Sequence, residues 1–343
     1  MFSRPWNPAN RFDPRSIEWE VEPDKARLQL IEDASSSILA HNDSPDIGFS
    51  WSVNPYRGCT HACAYCYARP THEYLGYGAG TDFERTIVYK PRAGELLAAA
   101  FERPSWVGAH VMFSGVTDCY QPVERRLRLT RACLEVCARY RNPVAVITRS
   151  PLVVRDLDLL VELAALGASA VTFSLPLLDP ALARALEPGA PSPHVRLAAM
   201  AQLAAAGVPV GVSVAPVIPG IGTEQIPNVL KAARDAGARW AWMIPIRLPG
   251  AVAEVFPRRL RDALPLRAEA ILARIQRLRG GAMNEARFGE RFKGRDDDPV
   301  WTSMRDLFTV WRDRLRFDGP WQAPDPSPFR RPSGQLDLFG GTG

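Results

Sequence analysis

The stretch VAVITRSPLVVRDLDLLVELAALGASAVTFSLP, residues 144–176, sets two β-branched apolar runs on either side of a helical stretch rich in leucine. Apolar strands that alternate with helices at this spacing predict a parallel sheet. The same rhythm extends both ways from it. Upstream, GFSWSVN precedes a cysteine-rich loop, and HVMFSGV (His110 to Val116) is followed by the amphipathic ERRLRLTRACLEVCARY. Downstream, the helix VRLAAMAQLAAAG leads to VPVGVSVAPVIPG with IPNVLKAARDAG, and then to RWAWMIPIRLPG with LRAEAILARIQRLRG. Six strand and helix units predict an α/β fold, either an incomplete barrel or a doubly wound sheet. In both, function sits where the loops leave the C-terminal ends of the strands.

The flanks read differently. Residues 1–48 are rich in Pro, Asn and charge, with one helix predicted over PDKARLQLIEDASSSI, and form an arm packed on the core. Residues 49–280 form the sheet domain, 281–321 a loop and helix extension, and 322–343 a Pro- and Gly-rich disordered tail. A chain of 343 residues, 46% hydrophobic, can bury a full core. The start MFSRPWNPANRFDPRS lacks the unbroken apolar segment of a secretion signal, and Pro, Gly or charge interrupts every later apolar run. The expectation is a cytoplasmic protein with no membrane span. Its net charge of +5 permits a nucleic-acid partner without requiring one.

Three of the six cysteines fall inside eight positions of NPYRGCTHACAYCYARP, residues 54–70. In a reducing compartment such a cluster points to metal or redox chemistry. Cys59, Cys63 and Cys66 are one ligand short of a closed zinc site, whereas three thiolates on an iron–sulfur cluster leave one iron open for a substrate or cofactor. The competing readings are buried structural thiols, or zinc completed by His61 or His72. Cys133 and Cys137, at i and i+4 on one helix, read as core.

CTHACAYC resembles the signature loop of the radical S-adenosylmethionine (radical SAM) superfamily, which follows the first strand of a partial (β/α)6 TIM-like barrel. That resemblance implies a four-iron four-sulfur (4Fe-4S) cluster on Cys59, Cys63 and Cys66, with S-adenosyl-L-methionine (SAM) chelated to the fourth iron and Tyr65 near the adenine. One-electron reduction, from a donor such as flavodoxin or ferredoxin, would then release a 5′-deoxyadenosyl radical. Polar residues at successive strand ends fit this: Thr117 and Asp118 for the cofactor's amino group, Arg149 for its carboxylate, Ser174 for ribose or carboxylate, and Ser213 beside an apolar Pro-Gly bend. Glu187, His194 and Arg196 in EPGAPSPHVR could orient substrate or cofactor, or pair locally.

Within the superfamily, TDCYQPVE, APVIPG and the cysteine loop resemble the spore photoproduct lyase-like branch, over about Ser50 to Gly250. The resemblance implies DNA lesion repair, with one departure. The branch's hydrogen-donating cysteine would fall at Val116, so Cys119, or Tyr120, becomes the candidate donor. QLDLF (Gln335, Leu336, Asp337, Leu338, Phe339) resembles the pentapeptide by which bacterial repair proteins bind the sliding clamp, with APDPSPFRRPSG as its flexible tether. RPWNPANRFDPR and RFGERFKGR mix arginine with aromatics as nucleic-acid surfaces do. The alternatives are a radical enzyme acting on RNA, protein or a small molecule, and a non-catalytic metal-binding module tethered to the clamp.

Overall fold

In a computed structural model that describes residues 5–13 and 27–332, the strands in chain order are β1 (Gln29–Glu32), β2 (Leu39–His41), β3 (Trp51–Val53), β4 (Tyr56–Arg57), β5 (Thr86–Tyr89), β6 (Val111–Phe113), β7 (Val144–Thr148), β8 (Ser169–Ser174), β9 (Val210–Val217) and β10 (Trp240–Pro245). Six of them, β3 and β6 to β10, lie side by side in sequence order and pair in parallel, while β2 caps one edge antiparallel to β3. A doubly wound sheet reverses its strand order partway. This order never reverses, so the six units form the partial-barrel arrangement.

Every residue of β8 is buried, as expected of a parallel strand covered on both faces. The helix Ile226–Asp235 buries Ile226, Val229, Leu230 and Ala233, one stripe of a 3.6-residue period. Cys133 and Cys137 are both fully buried in the main core. The remaining three strands form a separate small sheet, β1-β5-β4.

Three expectations need correction. The helix expected over PDKARLQLIEDASSSI is absent from its described part, where Gln29–Glu32 extends along β5 as β1. An available sheet edge there overrides weak local helix propensity. The single helix expected from Glu124 to Tyr140 breaks at Arg128, whose φ of 55° is left-handed, into Glu124–Leu127 and Leu129–Tyr140. A helix at Val252–Ala263 carries Pro257 inside it and did not read as one in the sequence.

The tail also departs from expectation, because its described part is tied down rather than disordered. Ser327 Oγ donates to the Gly108 carbonyl (2.7 Å), Arg330 N to that of Tyr140 (2.9 Å), and Phe329 packs among the rings of Phe101 and Tyr140. The strap lies against the segment that leads into β6, at the end of the sheet opposite the cysteine loop. Phe329→Ala is expected to cost about 1–2 kcal/mol, less than full burial of a phenylalanine contributes. A lowered melting temperature with earlier proteolysis at Arg330 and Arg331 would report it. QLDLF lies outside the described residues.

Candidate metal centre

The loop after β3 is shaped by its backbone. Gly58 has φ +79°, and a Cβ there would come within 2.7 Å of the Thr86 carbonyl oxygen. Two turns follow, with Ala62 N bonded to the Cys59 carbonyl (3.2 Å) and Cys66 N to that of Cys63 (3.3 Å), so the three thiols are presented by consecutive turns. Cys59 and Cys63 are buried, Cys66 is half-buried, and all three are free thiols.

Bonds from a neighbouring arginine and from distant parts of the chain hold this loop. Gln121 clasps it with both ends of its amide, accepting from Thr60 N (3.0 Å) and donating to the Gly58 carbonyl (2.9 Å). The fully buried Arg69 donates to the Cys63 carbonyl through Nη2 (2.8 Å) and Nε (3.2 Å), and its charge is met by Glu84 at 2.6 Å. Ala64 N reaches the Leu186 carbonyl (2.8 Å) and Gly189 N that of His61 (3.0 Å). A Cβ at Gly189 would lie 2.1 Å from the Thr60 carbonyl, so only glycine allows this approach.

A buried ionic chain meets the thiols. Arg149 Nη1 donates to Cys63 Sγ at 2.8 Å and to Glu187 Oε1 at 3.0 Å. Glu187 also accepts from the Tyr65 hydroxyl and pairs with Arg196, which in turn binds the Ser174 carbonyl at 3.0 Å. Burial alone would raise the Glu187 carboxyl, but Arg196 and Arg149 outweigh it and hold it down to about 2. Burial pushes the Cys63 thiol up to about 12 against the pull of Arg149. A metal must therefore displace a proton to bind there.

Asp118, at the end of the loop after β6, is enclosed in the same way. It accepts from Thr148 Oγ1 (2.7 Å), Tyr120 N (2.9 Å) and Arg149 N (3.0 Å), and faces His61 Nδ1 at 3.4 Å. Burial opposes ionisation, but His61 and these bonds bring its carboxyl to about 2. Cys59, Cys63, Cys66, Tyr65, Asp118 and Arg149 thus share one place. Ser174 and Ser213, both buried, are register partners on β8 and β9.

Three expected residues are turned elsewhere. Thr117 Oγ1 donates to the Tyr56 carbonyl (2.8 Å). Tyr120, fully buried, donates to Asp156 Oδ2 (3.0 Å), within a network in which Arg155 bridges Asp156 and Glu124. Cys119 is buried in the main core, its own amide bonded to Ser114 Oγ (2.9 Å) and its carbonyl to Thr130 Oγ1 (2.6 Å). The strand-end turn that aims Asp118 at the cysteine loop sends its two successors inward.

The donor set fits an iron–sulfur cluster. Three thiols share one loop, one of them against a guanidinium, and His61 Nε2 and Thr60 Oγ1 are buried in the same loop without a hydrogen-bond partner. Among the described residues no three His, Cys, Asp or Glu side chains close on a single-ion site. In a cluster each thiolate holds a different iron. His72 Nε2 lies 2.8 Å from the Thr86 carbonyl, burial takes its imidazole down to about 4, and among the described residues it joins no group of ligands around a single ion.

Gln121 and Arg69 were not singled out in the sequence, although both stand in quoted motifs. Among the described residues His194 pairs only with its neighbour Ser192. The arginine–aromatic segments are largely self-satisfied: Arg11 pairs with Glu73, and Arg258 lies over Trp6. Arg287 and Arg295 bind Glu285 and Asp297.

A parallel half-barrel with three thiols at its strand ends defines a class of cluster-binding proteins. A family model of the radical SAM superfamily matches residues 53–233, and the chain belongs to that superfamily. The cofactors of that family are a 4Fe-4S cluster and SAM. An uncharacterized protein of Mycobacterium tuberculosis (strain H37Rv) is 39% identical over 204 residues, 59% of this chain and 60% of its own length. One from Methanocaldococcus jannaschii is 28% identical over 57% of this chain and 70% of its own. The chain thus aligns with about three fifths of the mycobacterial relative.

Spore photoproduct lyase complexed with dinucleoside spore photoproduct superposes with a TM-score of 0.62 at 18% identity, covering 88% of this chain and 84% of that one. A mutant of that lyase with bound AdoMet and the same dinucleoside gives 0.61 at 18%, with the same coverage. At such identity the likeness establishes a shared fold. No helix among the described residues is long and apolar enough to cross a membrane.

Proposed function

We propose that this chain is an enzyme that reductively cleaves SAM at a 4Fe-4S cluster held by Cys59, Cys63 and Cys66, and that its substrate is nucleic acid, with DNA lesion repair as the leading version. The observation that carries the reading is the Arg149 bond to Cys63 Sγ, backed by Glu187, which places a fixed cation against the thiol loop at the strand ends. A cluster held by Cys59, Cys63 and Cys66, given one electron by a donor such as flavodoxin or ferredoxin, would with SAM supply the chemistry of radical hydrogen abstraction.

The protein's own groups position that cofactor. Asp118, its carboxyl held down to about 2, would accept from the cofactor's ammonium group, and Arg149 would balance the negative charge of thiolates and carboxylate. Ser174 and Ser213 offer neighbouring hydroxyls to the ribose, and Tyr65 offers its ring to the adenine. The choice of DNA rests on the fold shared with a lyase whose bound ligand is a dinucleoside photoproduct. The clamp reading rests on QLDLF, which follows a strap docked at the end of the sheet away from the thiols. A clamp bound there would leave the strand-end opening free for DNA.

The test is 5′-deoxyadenosine production by anaerobically reconstituted protein with undamaged DNA, ultraviolet-irradiated DNA or bulk RNA. Stimulation confined to irradiated DNA is the expected result, and stimulation by RNA alone would overturn the DNA assignment. Because Cys119 is sealed in the core, Cys119→Ala is expected to leave 5′-deoxyadenosine yield within about twofold of wild type and to cost about 1 kcal/mol of stability. Loss of turnover with unchanged stability would restore it as the hydrogen donor.

A further inference from the structure

The last parallel strand ends beside a group of charges that the proposed reaction does not use. Ile246 and Leu248, just beyond β10, pack into the apolar cluster that contains Cys63 and Tyr65. Arg247 between them is only half-buried and is turned to the other side. Its guanidinium lies over the Phe292 ring at 4.5 Å, and that of Arg291 lies over the same ring at 5.2 Å. Arg279 adds a third, bonding the carbonyls of Ile246 (2.6 Å) and Lys293 (2.5 Å), the residues next to Arg247 and Phe292.

The acids nearby do not balance these charges. Asp46 pairs with Arg291 at 2.7 Å, and Glu285 with Arg287 at 2.8 Å. Arg247 makes no hydrogen bond or ion pair among the described residues, and its buried Nε has no partner. Burial and the charge of Arg291 both disfavour its protonated form, while Tyr67 and Asp46 favour it. Tyr67 is also within electrostatic reach of Cys66 and Arg149. Arg247, flanked by the Ile246 and Leu248 that pack with Cys63 and Tyr65, stands at the strand end that carries the thiol loop.

A guanidinium held among like charges with no carboxylate bonded to it costs stability, and an anion met in the complex would offset that cost. We propose that Arg247, assisted by Arg291 and Arg279, binds a phosphate group of the substrate at the mouth of the half-barrel. Its flat fork suits two phosphate oxygens, and Phe292 fixes its plane. This rests on the nucleic-acid reading for the source of the phosphate, which is a phosphodiester of DNA, whereas a phosphorylated small molecule would present the same chemistry.

The test uses the reconstituted full chain and follows binding of a fluorescein-labelled single-stranded oligothymidylate by anisotropy, beside a methylphosphonate oligomer of the same sequence and thymidine monophosphate as competitor. Arg247→Gln is expected to weaken oligothymidylate binding about tenfold or more, to reduce its salt dependence by about one phosphate's worth, and to leave the melting temperature unchanged or higher. Arg247→Lys should recover part of the affinity. The methylphosphonate oligomer should bind weakly and be indifferent to the substitution.

A packing role for Arg247 would instead lower the melting temperature and leave affinity unchanged, which overturns the proposal. Oligothymidylate binding that ignores Arg247→Gln overturns the phosphate site while leaving the DNA reading standing. Arg247-dependent binding of thymidine monophosphate, with none of the oligomer, keeps the site and moves its source to a small phosphorylated molecule.

Discussion

Cys63→Ala is expected to abolish cluster assembly while leaving a folded protein. Cys63 Sγ is the thiol that Arg149 Nη1 meets at 2.8 Å, and its carbonyl is the anchor gripped by Arg69. Alanine keeps the backbone and so keeps that anchor. Since loss of an outer partner alone costs about 10–100-fold in metal affinity, loss of a ligand should exceed about a hundredfold. Iron and sulfide content after anaerobic reconstitution, with the cluster's visible absorbance, would report it. Cys133→Ala is the internal control, because Cys133 is buried in the main core. It should lose stability and keep its iron. Full iron in the Cys63 variant would remove that residue from the cluster.

The second large effect is expected at Glu187. Its two oxygens stand between Arg149 and Arg196, with the Tyr65 hydroxyl on one of them, and the site is almost wholly buried. Glu187→Gln preserves the shape and removes the charge, which leaves two buried guanidinia facing one neutral amide. Breaking a buried pair in this way costs about 3–5 kcal/mol. Chemical denaturation should show that loss, and pairing the change with Arg196→Met should recover part of it. A cost below about 1 kcal/mol, the range of an exposed pair, would mean that the chain of charges is solvated and does not hold Arg149 against the thiols.

How much of this could be read from residues alone depended on the distance over which each role is set. The six parallel strands were legible because runs such as Ser169–Ser174 are apolar or small throughout, and parallel strands buried on both faces leave that trace, whereas their order, which separates a half-barrel from a doubly wound sheet, was not. The thiol loop was legible because three cysteines in eight positions have few bland explanations. Its supports were not. Gln121 acts on Gly58 and Thr60 across 63 and 61 positions, and Tyr65 meets Glu187 across 122, so no local pattern announces them.

The direction of side chains at one turn was equally hidden. Asp118, Cys119 and Tyr120 are consecutive, yet only the first faces the loop, because Asp118 bonds back to Thr148 and the Tyr120 amide. Tyr120 and Glu124 in YQPVE serve a second buried network with Arg155 and Asp156. Part of that motif's resemblance is therefore architecture. The strap at Ser327–Arg331 was missed for a related reason: its composition is that of a linker, and what ties it down is one phenylalanine in an aromatic pocket together with bonds from Ser327, Arg330 and Arg331 to distant carbonyls.

The central claim is that the three-thiol loop supports reductive cleavage of SAM. The most direct measurement is chromatographic quantification of 5′-deoxyadenosine and methionine after the anaerobically reconstituted protein is mixed with SAM and dithionite, beside the Cys63→Ala variant. The expected result is formation of both products by the wild-type protein and neither by the variant. Iron-loaded wild-type protein that leaves SAM intact, with and without irradiated DNA, would contradict it.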